Sequence, residues 1–85
     1  MSVIIWGKDN CPFCVQAVDL VERMEVKHEY RKIGDGWTVE QLHEIVPGAR
    51  SVPQIIVNGN PVGGLSDFKK YIEDTGFNGT GHTLS

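Results

Sequence analysis

Residues 2–24 place a short apolar strand directly before an amphipathic helix, and this order limits the possible folds. Ser2–Trp6 is a β-branched, apolar run, which is the pattern of a strand buried on both faces. After a break, Pro12 suits the first position of a helix, where its missing N–H is not needed. Apolar residues then recur at helical spacing to about Met24. A strand followed by a helix predicts a right-handed crossover to a parallel strand.

A second strand and a second helix follow this unit. His28–Ile33 predicts a strand. Thr38 and Gln41 have the spacing of a capping box, and Pro47-Gly48 ends the helix. We expect the buried stripe of this helix to consist of four apolar residues: Val39, Leu42, Ile45 and Val46.

The C-terminal third predicts an antiparallel hairpin. Val52–Val57 is typical of a buried strand, and Asn58-Gly59 is a strong signal for a two-residue hairpin turn. The fourth strand is then Asn60–Gly63. Because Pro61 cannot donate a hydrogen bond, it restricts this strand to the edge of a sheet.

A last helix covers the hairpin, with Ser66 as its predicted N-cap and an end near Gly76. We expect Phe68, Tyr71 and Ile72 to form its core face. The element order β-α-β-α-β-β-α predicts an α/β fold, a four-stranded mixed sheet flanked by three helices. Residues 1–76 form this domain, and residues 77–85, which are rich in glycine, are predicted to be a flexible C-terminal tail.

Composition and charge argue against several classes of function. The chain has 85 residues, 40% of them hydrophobic and 22% charged, which suits one globular domain. The net charge is -3 without a basic patch, so we expect no nucleic-acid partner. The apolar runs are too short to cross a membrane, and the N-terminus lacks the pattern of a secretory signal. We therefore expect a cytoplasmic protein.

Cys11 and Cys14 are the only cysteines, and the residues leave three roles for them. A structural disulfide would not persist in a reducing compartment. A structural zinc site would need ligands from His28, His43 and His82, whose spacing matches no zinc finger. Redox chemistry is favoured, because a Cys-x-x-Cys pair within a strand-helix-strand pattern is typical of dithiol exchange.

The predicted position of Cys11 at a helix start suits this chemistry. The free N–H groups of the first turn, the helix dipole and nearby Lys8 all favour a thiolate. Such Cys-x-x-Cys thiols have pKa values of about 3.5 to 7.5. A low pKa reduces intrinsic nucleophilicity but makes Cys11 a good leaving group. That combination favours reversible exchange.

Two further segments predict a binding groove for an extended peptide. A cis Val52-Pro53 bond would let the backbone N–H and C=O of Val52 meet such a ligand. Gly63–Asp67 combines a tight backbone with a helix N-terminus, which binds carboxylates. Asp67 itself can hold an ammonium group.

Three segments, K-D-N-C-P-F-C, A-R-S-V-P-Q-I and N-G-N-P-V-G-G-L-S-D, resemble the ordered signatures of small dithiol glutaredoxins. The resemblance covers about residues 2 to 75. The opening V-I-I-W-G-K-D-N-C-P-F-C-V-Q-A is similar to the short bacterial glutaredoxins that reduce ribonucleotide reductase. The resemblance implies a thioredoxin-like fold and a cis bond before Pro53.

The resemblance also implies roles for individual residues. Cys11 would be the nucleophile and Cys14 the resolving thiol, with Pro12 supporting activity. The implied glutathione-binding residues are Lys8, Phe13, Val52, Pro53, Gly64, Ser66 and Asp67. In this set Lys8 would meet the glycyl carboxylate, and the end with Ser66 and Asp67 would hold the γ-glutamyl carboxylate and ammonium. Phe13 stands in place of the commoner tyrosine, Ser51 in place of the commoner threonine, and Leu65 where other members often carry an aromatic residue or cysteine.

The implied activity is glutathione-dependent reduction of protein disulfides and glutathione mixed disulfides by a monomer that binds no cofactor or metal. Glutathione would be the co-substrate, recycled by glutathione reductase and NADPH, and ribonucleotide reductase is an expected protein partner. No membrane partner is expected. Two alternatives remain: a redoxin reduced by thioredoxin reductase, and an iron–sulfur cluster carrier that uses Cys11 and glutathione as ligands. Pro12 argues against the carrier, because cluster-binding members usually have a small residue there.

The remaining aromatic and basic residues predict ordinary structural roles. We interpret Trp6 and Trp37 as packing residues, and Lys27, Arg31 and Lys32 as a solvated strand face.

Overall fold

The structure is a computed structural model that describes residues 2–76. Seven elements follow one another in the predicted order: β1 Val3–Gly7, α1 Pro12–Arg23, β2 His28–Lys32, α2 Val39–Ile45, β3 Gln54–Val57, β4 Asn60–Gly63 and α3 Leu65–Thr75. The predicted tail at residues 77–85 lies outside the described residues.

The four strands form one mixed sheet in the order β2-β1-β3-β4. Strand β1 is parallel to β2, with Gly7 opposite Lys32, and antiparallel to β3, with Trp6 opposite Gln54. The C-terminal end of β1 and the N-terminal end of β3 therefore lie side by side, at the same end of the strands. The residues that follow β1 and those that precede β3 are brought together there, and the predicted mixed sheet is confirmed.

The β3–β4 hairpin turns through Asn58 and Gly59, whose φ angles are 51° and 83°. Two consecutive positive φ angles are what a type I′ turn requires, and Asn-Gly tolerates them best. Strand β4 lies at the edge of the sheet, so Pro61 disrupts no further strand pairing.

The core is split between the two faces of the sheet. On one face α1 and α3, which contributes Phe68, pack against alternate residues of β1 and β3, including Ile5 and Ile55. On the other face α2 covers Trp6 and Ile56 with Leu42. The prediction that β1 is buried on both faces is confirmed, because Ile5 and Trp6 point in opposite directions and are both buried.

Two helix predictions are wrong in part. Helix α3 has Gly64 as its N-cap, so Ser66 lies inside the first turn rather than at the cap. Helix α2 buries only Leu42, whereas Val39 and Ile45 are exposed. A helix of seven residues has fewer than two full turns, and this one presents a single residue to the sheet.

The strand face around Arg31 is more ordered than predicted. The guanidinium carbon of Arg31 lies 4.3 Å from the centre of the Trp37 ring and 5.3 Å from the centre of the Trp6 ring, within the range of cation–π contacts. Arg31 also pairs with Glu29. The two indole rings meet edge to face at 5.3 Å, which confirms their packing role. The prediction of a fully solvated face is therefore wrong at Arg31.

Candidate active site

Cys11 is the N-cap of α1, as the sequence predicts. Its backbone is extended, and the preceding Asn10 adopts a left-handed conformation with a φ of 57°. The Cys11 Sγ atom accepts a hydrogen bond from the backbone N–H of Cys14 at 3.2 Å. A sulfur atom therefore occupies the position where Ser, Thr or Asp usually caps a helix.

Cys11 and Cys14 lie about one helical turn apart and are joined by a disulfide, with their Cα atoms 5.2 Å from each other. Cys11 retains 8% of its accessible surface and Cys14 only 1%. Cys11 is consequently the more exposed of the two residues, and Cys14 is almost fully enclosed.

The segment before β3 faces Cys11. The Val52-Pro53 peptide bond is cis, as the resemblance implies. The Cys11 Sγ atom lies 3.8 Å from the carbonyl oxygen of Val52. Within residues 2–76 the backbone N–H of Val52 has no hydrogen-bond partner, so it is available to a ligand.

A cleft of about 360 Å³ extends from this point to the start of α3. Six of the seven residues predicted to bind glutathione line it: Phe13, Val52, Pro53, Gly64, Ser66 and Asp67. Ser51 and Leu65 complete its walls. We call it the Asp67 cleft. The structure thus brings together three segments that lie more than ten residues apart in the chain.

Lys8, the seventh predicted residue, lines an adjoining cleft of about 170 Å³. The two clefts share Ser51 and Val52, so they are neighbours. Arg50, whose role the sequence leaves open, lies in the same cleft as Lys8. The residues that line this cleft carry two positive charges and no carboxylate, an arrangement that suits an anionic group.

Asp67 is held at the start of α3 by the backbone. Its Oδ2 atom accepts a hydrogen bond from the N–H of Gly64 at 3.3 Å. Gly63 has a φ of 111°, and a Cβ atom there would lie 2.9 Å from the Cβ and Cγ atoms of Asp67. Gly63 therefore leaves the space that the Asp67 carboxylate occupies.

An ion pair next to Cys11 was missed by the sequence reasoning. The Asp9 carboxylate lies 2.8 Å from the Lys32 ammonium group. Its hydrogen bond, followed by its charge, raises the pKa of Lys32 above the ordinary value. The pair ties the loop before Cys11 to the end of β2. The two residues are 23 positions apart, so no local pattern could have revealed the contact.

Comparisons with known proteins agree with this geometry. A family model described as glutaredoxin matches residues 3–62. A glutaredoxin from Haemophilus influenzae is 33% identical over 81 residues, which cover 87% of this chain and 93% of that protein. The chain belongs to the glutaredoxin family. This glutaredoxin is a glutathione-dependent thiol–disulfide oxidoreductase, and Cys11 and Cys14 form its dithiol pair.

Solved structures place this glutaredoxin in the same fold. Reduced Escherichia coli glutaredoxin superimposes with a TM-score of 0.77 at 32% identity, over 88% of this chain and 96% of that one. A buckwheat glutaredoxin–glutathione complex gives a TM-score of 0.74 over 85% of this chain and 68% of that one. Its identity is 17%, so it supports the fold alone.

The described residues form neither a metal site nor a membrane-spanning helix. Between Ser2 and Gly76 no cluster of three or more His, Cys, Asp or Glu side chains has the arrangement of a metal site. None of the helices α1 to α3 is long and apolar enough to cross a membrane.

Proposed function

We propose that Cys11 is the nucleophile and Cys14 the resolving thiol in the reduction of protein disulfides and glutathione mixed disulfides. The observation that carries this assignment is the difference in exposure at the start of α1. Cys11 caps the helix and reaches the surface, whereas Cys14 is buried one turn behind it. The helix N-terminus stabilises a thiolate at Cys11, and Pro12 starts the helix directly after it.

In the reduced protein the Cys11 thiolate attacks one sulfur of a substrate disulfide. A mixed disulfide forms on Cys11, and the first substrate thiolate leaves. With a protein disulfide, Cys14 then attacks the Cys11 sulfur, releases the second substrate thiolate and closes the Cys11–Cys14 disulfide. Two electrons pass from the dithiol to the substrate. The 5.2 Å separation of the two Cα atoms permits this closure.

Glutathione then reopens the disulfide by attacking Cys11, and a second glutathione removes the first as glutathione disulfide. Attack at Cys11 rather than Cys14 follows from burial, because Cys14 is almost fully enclosed. Recycling of glutathione by glutathione reductase and NADPH completes the cycle. No bound cofactor is needed for any of these steps.

The Asp67 cleft and the adjoining Lys8 cleft together form the glutathione groove of this proposal. Glutathione carries two carboxylates and one ammonium group, and it lies extended past the free N–H of Val52. Lys8 meets the glycyl carboxylate, while the N-terminus of α3, with Ser66, meets the γ-glutamyl carboxylate. Asp67 meets the ammonium group, and Phe13, Pro53 and Gly64 shape the walls.

The proposal extends to partners and location. Protein disulfides are the substrates, with ribonucleotide reductase as the expected target from the likeness to short bacterial glutaredoxins. A cytoplasmic location follows from the need to keep the dithiol reduced. Residues 1–76 form the catalytic domain, which acts as a monomer.

The source of electrons provides the test. Protein with an oxidised Cys11–Cys14 pair is supplied with NADPH and either glutathione plus glutathione reductase or thioredoxin reductase alone, and NADPH oxidation is followed with a disulfide substrate. Sustained turnover with the glutathione system is the expected result. Turnover with thioredoxin reductase alone, and none with glutathione, would refute the glutathione groove.

A matched pair of lysine variants sharpens this test. Lys8→Gln should raise the KM for glutathione about fivefold, because one ion pair is lost at an exposed site. Lys27→Gln removes an exposed lysine that lines none of the clefts around Cys11 and should leave the KM unchanged. Equal effects of both substitutions would mean that only net charge matters.

A further inference from the structure

A second concave surface reaches Cys11 from another side. It has a volume of about 710 Å³ and is lined by Lys8, Asp9, Asn10, Cys11, Pro12, Val15, Tyr30 and Lys32. We call it the Tyr30 surface. It shares no lining residue with the Asp67 cleft. Strand β2, which carries Tyr30, is at the edge of the sheet, so no strand of residues 2–76 pairs with its outer side.

Two side chains with large apolar parts are exposed on this surface, although the Tyr30 ring also packs over Gly7. Val15 retains 68% of its accessible surface and Tyr30 37%. Helix α1 instead buries Cys14, Ala17 and Val21 against the sheet. A single exposed apolar residue is ordinary. Here two of them line the same concavity as the reactive sulfur, which is where a substrate must come to rest.

The charge of the Tyr30 surface differs from that of the whole chain. Lys8 and Lys32 contribute two positive charges and Asp9 one negative charge, so the lining has a net charge of +1, whereas the whole chain has a net charge of -3. The Asp9 carboxylate is already paired with Lys32. The surface is thus complementary to a segment that carries a carboxylate rather than a lysine or arginine.

Helix geometry fixes which substrate residue can reach the apolar part. Val15 lies one helical turn beyond Cys11, and its N–H donates to the Cys11 carbonyl oxygen at 3.2 Å. One turn advances about 5.4 Å, whereas an extended chain advances about 3.3 Å per residue. A chain joined to Cys11 through its cysteine therefore reaches Val15 with the first or second neighbouring residue, and Tyr30 lines the same concavity.

We propose that the Tyr30 surface binds the segment that flanks the target cysteine of a protein disulfide substrate. The segment is extended, has a bulky apolar residue one or two positions from the cysteine, and directs a carboxylate toward Lys8 and Lys32. The Asp67 cleft and the Lys8 cleft, which hold glutathione, share only Lys8 with this surface, so Val15, Tyr30 and Lys32 select among protein substrates. The inference rests on the proposed attack by Cys11, but not on glutathione as the electron donor.

The test uses the pre-reduced full chain and two-cysteine peptides with an intramolecular disulfide. Cys11 attacks the peptide disulfide, Cys14 closes on Cys11, and the peptide leaves as a dithiol, so one turnover needs no glutathione. The second-order rate is measured by acid quench and chromatography. The peptides carry Phe or Ser next to the attacked cysteine, combined with Glu or Lys at the following position.

Two variants remove the apolar contacts without adding charge, Val15→Gln and Tyr30→Thr. A third, Ile45→Gln, removes an equally apolar, exposed side chain from α2 and is the matched control. We expect the wild type to prefer the peptide with Phe and Glu over the peptide with Ser and Lys by roughly tenfold. Val15→Gln and Tyr30→Thr should each reduce that preference to roughly threefold or less, whereas Ile45→Gln should keep it.

Reduction of a small glutathione mixed disulfide is measured on the same proteins. The loss caused by Val15→Gln should be several times larger with the Phe-Glu peptide than with the glutathione mixed disulfide. Equal losses on both substrates, or no peptide preference in the wild type, would overturn the proposed surface. Failure of the wild type on the glutathione mixed disulfide, with the peptide preference intact, would instead count against the proposed glutathione groove.

Discussion

Helix α2 begins with side chains that satisfy its own backbone, whereas α1 and α3 begin with groups that face a cleft. At the start of α2, Thr38 accepts a hydrogen bond from the Gln41 N–H at 3.2 Å, and Gln41 accepts one from the Thr38 N–H at 2.8 Å. At the start of α1 the cap is the reactive sulfur of Cys11.

In the part of the chain that the structure describes, no side chain caps the first-turn N–H groups of α3, because its N-cap is Gly64. There the Asp67 carboxylate accepts a hydrogen bond from the N–H of Gly64 itself. Both α1 and α3 therefore leave positive helix ends for a thiolate and for a ligand carboxylate. We call a helix start closed when its own side chains bond its first N–H groups, as in α2, and open when those groups face a cleft, as in α1 and α3. The closed start contributes to stability, and the two open starts contribute to chemistry.

The largest expected effect comes from a substitution that disturbs the start of α3. Gly63→Ala puts a Cβ atom against the Asp67 side chain at a φ of 111°, so we expect about 2 kcal/mol less free energy of unfolding. The KM for glutathione should also rise, because the Asp67 carboxylate is displaced. Denaturant unfolding and the coupled assay measure the two effects.

Gly34→Ala is the control for this substitution. Gly34 has a φ of 93° but nothing lies within 4 Å of the added Cβ atom. It should lose stability from the backbone alone and keep the KM of the wild type. If both variants behave alike, the contact with Asp67 has no consequence.

A second change removes only the charge from the start of α3. Asp67→Asn retains an oxygen that can accept the Gly64 hydrogen bond, so stability should stay the same. We expect the KM for glutathione to rise about five- to tenfold, because the ammonium group loses its partner. Asp74→Asn, at an exposed position near the other end of α3, should leave the KM unaltered. A large stability loss in Asp67→Asn would show that the carboxylate is structural.

At the start of α2 we expect a loss of stability without a loss of activity. Thr38→Ala removes one half of the capping box, which should lower the free energy of unfolding by about 1 kcal/mol. Steady-state kcat/KM should remain within about twofold of the wild type, since Thr38 lines none of the clefts around Cys11. Thr38→Ser should restore stability. A loss of activity without a loss of stability would contradict the division between closed and open helix starts.

The smallest effect concerns the ion pair between Asp9 and Lys32. The pKa of Lys32 is higher in the folded protein than its ordinary value. Lys32 therefore contributes stability that is fully present below its unfolded-state pKa and is lost as the pH rises through its folded-state pKa. Asp9→Asn should therefore be slightly less stable than the wild type at neutral pH. The difference should shrink as the pH rises through the raised pKa of Lys32. A difference that stays constant while the Lys32 ammonium group loses its proton would mean that the pair contributes nothing through its charge.

The sequence predicted the features that depend on neighbouring residues. The capping box of Thr38, the turn at Asn58-Gly59 and the position of Cys11 at a helix start all follow from local chemistry, and all are confirmed. The cis Val52-Pro53 bond was implied by the family resemblance rather than by the residues alone.

The features that the sequence missed depend on packing between distant segments. Arg31 lies against Trp6 and Trp37 because β1 and β2 are neighbours in the sheet and Trp37 packs on the same face. Periodicity alone assigned Val39 to a buried stripe, but the structure leaves it exposed. The hydroxyl of Ser66 predicts a cap there, whereas α3 already begins at Leu65 with Gly64 as its N-cap.

The roles of the two sulfur atoms are the central claim, and one assay tests them directly. Wild type, Cys11→Ser and Cys14→Ser are compared in the reduction of a small glutathione mixed disulfide, coupled to glutathione reductase and NADPH. Activity that is abolished in Cys11→Ser and largely kept in Cys14→Ser is the result that this account predicts. Activity that survives in Cys11→Ser, or that is lost equally in both variants, would contradict it.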